Sequence, residues 1–245
     1  MGGMRGLLGT LLALCAGCAF DPGAGEHKPL DASPMGDVAA DRAGDTPASA
    51  FCDPQDPTLV ACFELDGSTS DRSGSALSPM AANVTFVPGR VGMAAHFDAT
   101  TSLDIPETAA LDVPAVTIEA WIRAAIPGAG LRSGVLDNQG QYSLYLYPAG
   151  ALRCHGFDVA ANISAQTWTH VACTYDGANR VYVNGMKVGE DAGGGGALAT
   201  IGTTGISIGA DNPPGSGSPL LGEIDQLRIF SVARTDAQIA AAAVN

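Results

Sequence analysis

Trp168 to Val188 reads W-T-H-V-A-C-T-Y-D-G-A-N-R-V-Y-V-N-G-M-K-V, and its reading decides the fold. From Thr169 to Tyr175 the residues alternate. Val171, Cys173 and Tyr175 share one face, and His170, Ala172 and Thr174 share the other. A period of two in β-branched and aromatic residues predicts a half-buried strand. Asp176-Gly177 supplies a turn, because glycine accepts the positive φ of a tight reversal. Val181 to Val183 is the return strand. Asn184-Gly185 is the strongest short hairpin signal in the chain, and Met186 to Val188 leaves it as a third strand. The stretch is an antiparallel meander.

The same reading extends outward. Val60 to Leu65, Val84 to Val87, Ala94 to Phe97 and Ser102 to Ile105 are short strands between polar turns. Pro106 to Val113 reads as a short helical or irregular connection. In Val116 to Arg123, Val116, Ile118, Ala120 and Ile122 alternate with Thr117, Glu119, Trp121 and Arg123. Val135-Leu136, Tyr142 to Tyr147 and Leu152 to Phe157 continue the meander into the opening hairpin. Asp191 to Ala199, with four consecutive glycines, is expected to be a flexible loop, and Asp211 to Pro219 another. Gly205 to Gly209 and Leu221 to Phe230 are the last strands. Thr235-Asp236-Ala237-Gln238 matches a capping box that opens a short C-terminal helix through Ala243. Many strands and almost no helix predict an all-β sandwich of two antiparallel sheets.

Composition bounds the setting. The 245 residues carry 32 glycines and 15 prolines, with 15% charged residues, as a turn-rich β protein requires. A formal net charge of −13, with twelve scattered basic residues, excludes a nucleic-acid surface, which needs clustered lysine and arginine.

Residues 1–18 read as a secretory signal. Arg5 supplies the positive start, and Leu7 to Leu14 an apolar run too short to span a bilayer. Ala16-Gly17-Cys18 resembles the end of a bacterial lipoprotein signal, with Cys18 the lipidated residue, although Cys15 stands where that motif usually has leucine. Ordinary cleavage releasing a soluble protein is the alternative. Residues 19–50 have one aromatic, Phe20, and few large aliphatics, so they are expected to form a disordered tether. The folded domain is expected over 51–245.

With Cys15 and Cys18 assigned to the signal and the lipid, Cys52, Cys62, Cys154 and Cys173 remain. Four cysteines in an exported chain predict two disulfides, with three connectivities open. Cys52–Cys62 is expected because Asp53, Pro54 and Pro57 bend the segment between them. Cys154–Cys173 is expected because both lie on successive strands that a meander would set side by side. No C-x-x-C occurs, and His155 and His170 lack zinc-site spacing.

W-T-H-V-A-C-T-Y-D-G followed by V-Y-V-N-G resembles the laminin-G-like, concanavalin A-like jelly-roll family in its bacterial form. The likeness runs from about Leu59 to Ile239. It takes in F-E-L-D-G-S-T-S-D-R-S-G, P-G-R-V-G-M-A-A-H-F-D, V-T-I-E-A-W-I-R and L-L-G-E-I-D-Q-L-R-I-F. The resemblance implies a jelly-roll sandwich. It leaves function open, because such folds host lectins, glycanases, adhesion modules and structural domains. It also implies one structural calcium ion joining the first loop to the last strand, with Asp66, Asp71 and Asp225 as ligands by motif position. Asp66 and Asp71 forming Asx turns is the alternative.

Glycanases of this fold carry three alternating carboxylates on one strand. Glu223-Ile224-Asp225 offers two, and Gln226 to Ile229 supply no third, so no catalytic residue is assigned. His170 is read as a packed, hydrogen-bonded core residue. Trp121 and Trp168 are also read as core. For binding, Ser143, Tyr145 and Tyr147 share a strand face, and aromatic rings stack on sugars; the same stripe could be core. The expected function is a non-catalytic, lipid-tethered cell-surface module that binds a glycan or an extracellular protein, as a monomer, touching membrane only through its lipid. An adhesion or scaffolding lipoprotein without a small ligand, and a divergent glycoside hydrolase, are the alternatives.

Overall fold

The computed structural model describes residues 51–193, 198, 204–212 and 218–244. The expected signal, the tether and Cys18 lie outside them, as do most of the tetraglycine loop and part of the loop after Asp211. The described chain forms fifteen strands, one α-helix and two short 3-10 helices (Ala109–Leu111 and Pro148–Gly150): β1 (Leu59–Phe63), β2 (Met80–Ala82), β3 (Thr85–Pro88), β4 (Met93–Phe97), β5 (Ser102–Ile105), β6 (Val116–Ala124), β7 (Ser133–Asn138), β8 (Tyr142–Tyr147), β9 (Ala151–Cys154), β10 (Phe157–Val159), β11 (Thr169–Tyr175), β12 (Asn179–Val183), β13 (Met186–Asp191), β14 (Ile206–Ile208), β15 (Gly222–Phe230) and α1 (Asp236–Ala242).

The strands form two antiparallel sheets. The first runs β13-β12-β11-β6-β15-β4-β3, with β1 also paired to β15. The second runs β10-β9-β8-β7-β14-β5-β2. Along its outer edge β15 pairs β4 through Gly222–Ile224 and β1 through Leu227–Phe230, so the first and last strands meet. A bulge between Asp225 and Arg228, with Gln226 at φ 49°, separates the two pairings and re-aims Asp225. Ile118, Ile122 and Val171 of the first sheet share one core with Leu103, Leu136, Leu144 and Leu152 of the second.

Local turn chemistry explains the hairpins. Asn184 and Gly185 both adopt positive φ, 48° and 78°, as a two-residue primed turn requires. Thr235 accepts from the Gln238 N–H while the Gln238 side chain bonds back to Thr235, closing the capping box of α1. Cys52–Cys62 and Cys154–Cys173 are both bridged.

Three expectations need correcting. Cys154 and Cys173 do not sit on neighbouring strands: Cys154 is on β9 of the second sheet and Cys173 on β11 of the first, so their bond crosses the sandwich. The run Leu152 to Phe157 is not one strand. His155 and Gly156, at φ 42° and 86°, turn it into the β9–β10 hairpin. Nor is β11 half-buried, since all seven of its residues are buried. Ile239 of α1 packs on Ala172 and Tyr182, and Cys52, Leu59, Cys62 and Phe230 form a second apolar cluster that seats the N-terminal segment.

Candidate functional site

Strand β8 carries the aromatic stripe. Tyr142, Leu144 and Leu146 point into the core, so the pleat turns Ser143, Tyr145 and Tyr147 to the outer face of the second sheet. Neither Tyr145 nor Tyr147 joins the core between the sheets. Their rings lie edge-to-face with centroids 6.5 Å apart. The Arg132 guanidinium lies 4.4 Å from the Tyr145 centroid, and that of Arg153 4.6 Å from the Tyr147 centroid. Each such contact contributes about 0.5–2 kcal/mol, rising with desolvation. Tyr145 is only 5% exposed beneath this cover, whereas Tyr147 is half-buried and within reach of solvent. Arg153 is held from the other side by Asp158, its cross-strand neighbour, through bonds of 2.5 and 2.6 Å.

Beside Tyr145 lie two carboxyls that the motif reading missed. Asp137 faces Ser143 across β7–β8, and Asp211 pairs with Arg132 at 2.8 Å. The Tyr145 hydroxyl lies near both, and the Asn212 N–H donates to Asp137 Oδ2 at 2.8 Å. Burial pushes the Asp137 carboxyl above its usual range, and the Asp211 charge adds to the rise. Each residue is only 6% exposed. Facing carboxyls suggest glycoside hydrolysis, yet both side chains are nearly covered: one Asp211 oxygen is tied to Arg132, and Asp137 Oδ2 accepts from the Asn212 N–H. Val135 and Leu136 both join the core because a bulge interrupts β7, so alternation does not give the outward placement of Asp137; Asp211 and Arg132 come from loops with no periodic signal.

The three expected calcium ligands do not come together. Asp71 is consumed by the backbone: Oδ1 accepts from the Cys62 and Ser73 N–H groups, and Oδ2 from the Leu77 N–H and the Ser73 hydroxyl. It is a turn-former, as the Asx alternative has it. Asp66 and Asp225 do meet, around the β3–β4 turn. Asp66 Oδ1 accepts from the Met93 N–H at 2.7 Å, and Asp225 Oδ2 from the Arg90 and Val91 N–H groups at 2.8 and 3.0 Å. Burial pushes the Asp225 carboxyl up to about 6, helped by the Asp66 charge and opposed by those N–H bonds. Asp225 Oδ1 is buried without a partner. An orphaned carboxylate oxygen beside a second carboxylate fits a hard cation, with two side-chain ligands rather than three. Among the described residues, no three histidine, cysteine or acidic side chains form a metal-holding group. Glu223, two residues before Asp225, accepts from Arg123 Nε at 2.9 Å and lies 3.2 Å from His96 Nδ1, so it belongs to an ion network.

The outer face of the first sheet is mostly sealed. Glu119, 1% exposed, pairs with Arg228 at 2.5 Å and Arg234 at 2.6 Å. Arg90 lies over the Trp121 ring at 4.6 Å, and His170 packs edge-on against the same ring. Burial, reinforced by the Arg228 and Arg234 charges, pushes the His170 imidazole down to about 4. His170 is packed as expected, but its Nδ1 lacks a partner and it faces away from the inter-sheet core. Trp121 is likewise buried outside that core, and Trp168 is half-buried under Arg123.

The architecture matches known proteins. Domain 4 of an extracellular GH43 arabinanase from Geobacillus stearothermophilus, solved in complex with arabinotriose, superposes with a TM-score of 0.61 at 20% identity, covering 76% of this chain and 98% of that one. The binding domain of a paraclostridial mosquitocidal protein gives 0.61 at 15% identity, covering 76% and 52%. The binding domain of botulinum neurotoxin DC, solved in complex with SialylT, gives 0.55 at 14%, covering 77% and 51%. The chain thus spans about half of each toxin domain, and at these identities the likeness is one of fold. No curated protein sequence matches. The family model of the concanavalin A-like lectin/glucanases superfamily matches residues 97–240, more than half of the chain. Two antiparallel sheets, a shared core and this match agree: the chain belongs to the concanavalin A-like lectin/glucanases superfamily.

Proposed function

We propose that this chain is an exported, lipid-tethered, non-catalytic module that binds carbohydrate on the outer face of its second sheet. The observation that carries the reading is the Tyr147–Arg153–Asp158 group beside Ser143. It offers an accessible aromatic edge, a planar donor fork and carboxylate acceptors on one rigid sheet. That mixture suits the alternating apolar faces and hydroxyls of a sugar. Domains of this fold solved with arabinotriose and with SialylT support the ligand class. Two disulfides support export, and Ala16-Gly17-Cys18 supports the lipid anchor. A glycan array probed with the intact chain tests the reading. Binding that Tyr147→Ala abolishes would support it, and an array without hits would sink it. The cover over Tyr145 favours the second reading, a protein-binding adhesion module without a small ligand.

One calcium ion held by Asp66 and Asp225 belongs to the same proposal. It would stabilise the folded state by about 2.7 kcal/mol at a hundredfold excess over its dissociation constant. Chelation should therefore lower the melting temperature of the wild type and leave Asp225→Ala unmoved. Identical melting of the wild type in calcium and in chelator would reduce both aspartates to turn-formers.

A further inference from the structure

At the end of the tyrosine face, the β7–β8 and β9–β10 turns border an open cavity of about 290 Å³. Asp137 and Ser143 contribute the sheet side, Asn138 and Gln141 one turn, and His155 with Gly156 the other. Gly140 and Gly156 take positive φ, and nothing lies within 4 Å of where their Cβ atoms would stand, so no neighbouring group closes over either turn.

The wall chemistry is specific. No lysine or arginine lines the cavity. Burial pushes the His155 imidazole below its usual range against a bond to the Gln141 carbonyl, so it is uncharged at neutral pH, with its N–H engaged and its other ring nitrogen left as an acceptor. Asn138, 0% exposed, keeps Oδ1 buried and without a partner. Its orientation follows from a directional chain. Asn138 Nδ2 donates to Gln141 Oε1, and Gln141 Nε2 donates to Asp112 Oδ1, which as a carboxylate only accepts. The oxygen of Asn138 is therefore left facing no donor, buried on the face of β7 that pairs with Tyr142, while Asp137 and Ser143 share the opposite, outward face. The outward Asp137 carboxyl, Ser143 hydroxyl and His155 ring, with no cation among the lining residues, disfavour anions and call for a ligand that donates hydroxyls. The volume lies at the small end of ligand pockets and suits one ring.

We propose that this cavity is the subsite for a single uncharged, hydroxyl-rich sugar ring, the terminal unit of a glycan whose next units run toward Tyr147. The proposal rests on the reading of this face as glycan-binding. It makes the site select neutral over acidic termini, because a carboxylate sugar would meet Asp137 with no compensating charge.

Titration calorimetry on the intact chain tests it with neutral oligosaccharides ending in arabinose, galactose or glucose, and with sialylated counterparts of the galactose-ended probes. The expected result is binding of at least one neutral probe and loss of about tenfold or more in affinity when sialic acid caps it. Ser143→Trp, which fills the cavity from an outward strand position, should cost at least tenfold. Asp137→Asn, which keeps the shape and removes the charge, should weaken neutral binding and narrow the preference over sialylated probes. Near-ultraviolet circular dichroism checks that each variant is folded, and Asp137→Asn decides alone if Ser143→Trp is not. Unchanged affinity in the folded variants, with loss in Tyr147→Ala, would overturn the cavity and keep the face. Equal affinity for capped and uncapped probes would also overturn it, and no binding by the wild type would overturn both readings.

Discussion

The outer faces of the two sheets start from the same alternating pattern and end differently. On the first sheet, Glu119, Trp121, His170 and Asp225 are all buried, closed in by Arg90, Arg228, Arg234, the N-terminal segment and α1. On the second, Ser143, Tyr147 and Arg153 remain within reach of solvent, while Tyr145 is tucked beneath Arg132 and Asp137 is buried beside Ser143. The contrast shows that outward pleat positions become structural or functional according to which distant segments close over them. Polar groups sealed on the first face act as stability elements; several on the second stay partly exposed.

Breaking the sealed face should cost most. Glu119→Ala would leave Arg228 and Arg234 without their shared carboxylate, and removing one partner of a buried ion group typically costs about 3–5 kcal/mol. Urea unfolding should show a lower midpoint with an unchanged slope, and a loss below about 1 kcal/mol would mean that the face is wetter than described.

Acid sharpens the same contrast. The His170 imidazole titrates near 4 in the folded chain against 6.5 for an ordinary histidine, so the unfolded chain takes up a proton that the folded one refuses. Its contribution is full above pH 6.5 and lost as pH falls toward 4, on the order of 3 kcal/mol across that window. His170→Gln should flatten this part of the stability–pH curve, and an unchanged curve would place the acid sensitivity elsewhere.

The open face should respond least in stability. Arg153→Ala removes a partly exposed pair with Asp158 and should cost under about 1 kcal/mol. Its effect belongs in ligand affinity. A large loss of stability would make Arg153 part of the scaffold and erase the distinction between the faces.

The sandwich was legible wherever signals are local. The Asn184-Gly185 turn, the strict alternation of Val116 to Arg123 and the Thr235–Gln238 box each depend on neighbours a few residues away. The Cys154–Cys173 pair was readable from the cysteine count, but its passage between sheets was not, because consecutive strands carry no mark of which sheet they enter. The same limit hid the site. Asp71 looks like a ligand until the N–H groups of Cys62 and Leu77 take its oxygens, and Asp211 and Arg132 reach Tyr145 from separate loops. The His155-Gly156 turn was the exception, a local signal inside a run read as one strand.

The most direct measurement of the central claim compares one aromatic from each face. Trp168, half-buried under Arg123, lies on the first sheet's side, and Tyr147, half-buried under Arg153, lies on the second. Affinity for the strongest array glycan should be measured by calorimetry on the intact wild type, Tyr147→Ala and Trp168→Ala, each verified as folded. The account predicts a loss of about tenfold or more in Tyr147→Ala and little change in Trp168→Ala. Loss in Trp168→Ala with full binding by Tyr147→Ala would contradict it and move the ligand to the other sheet.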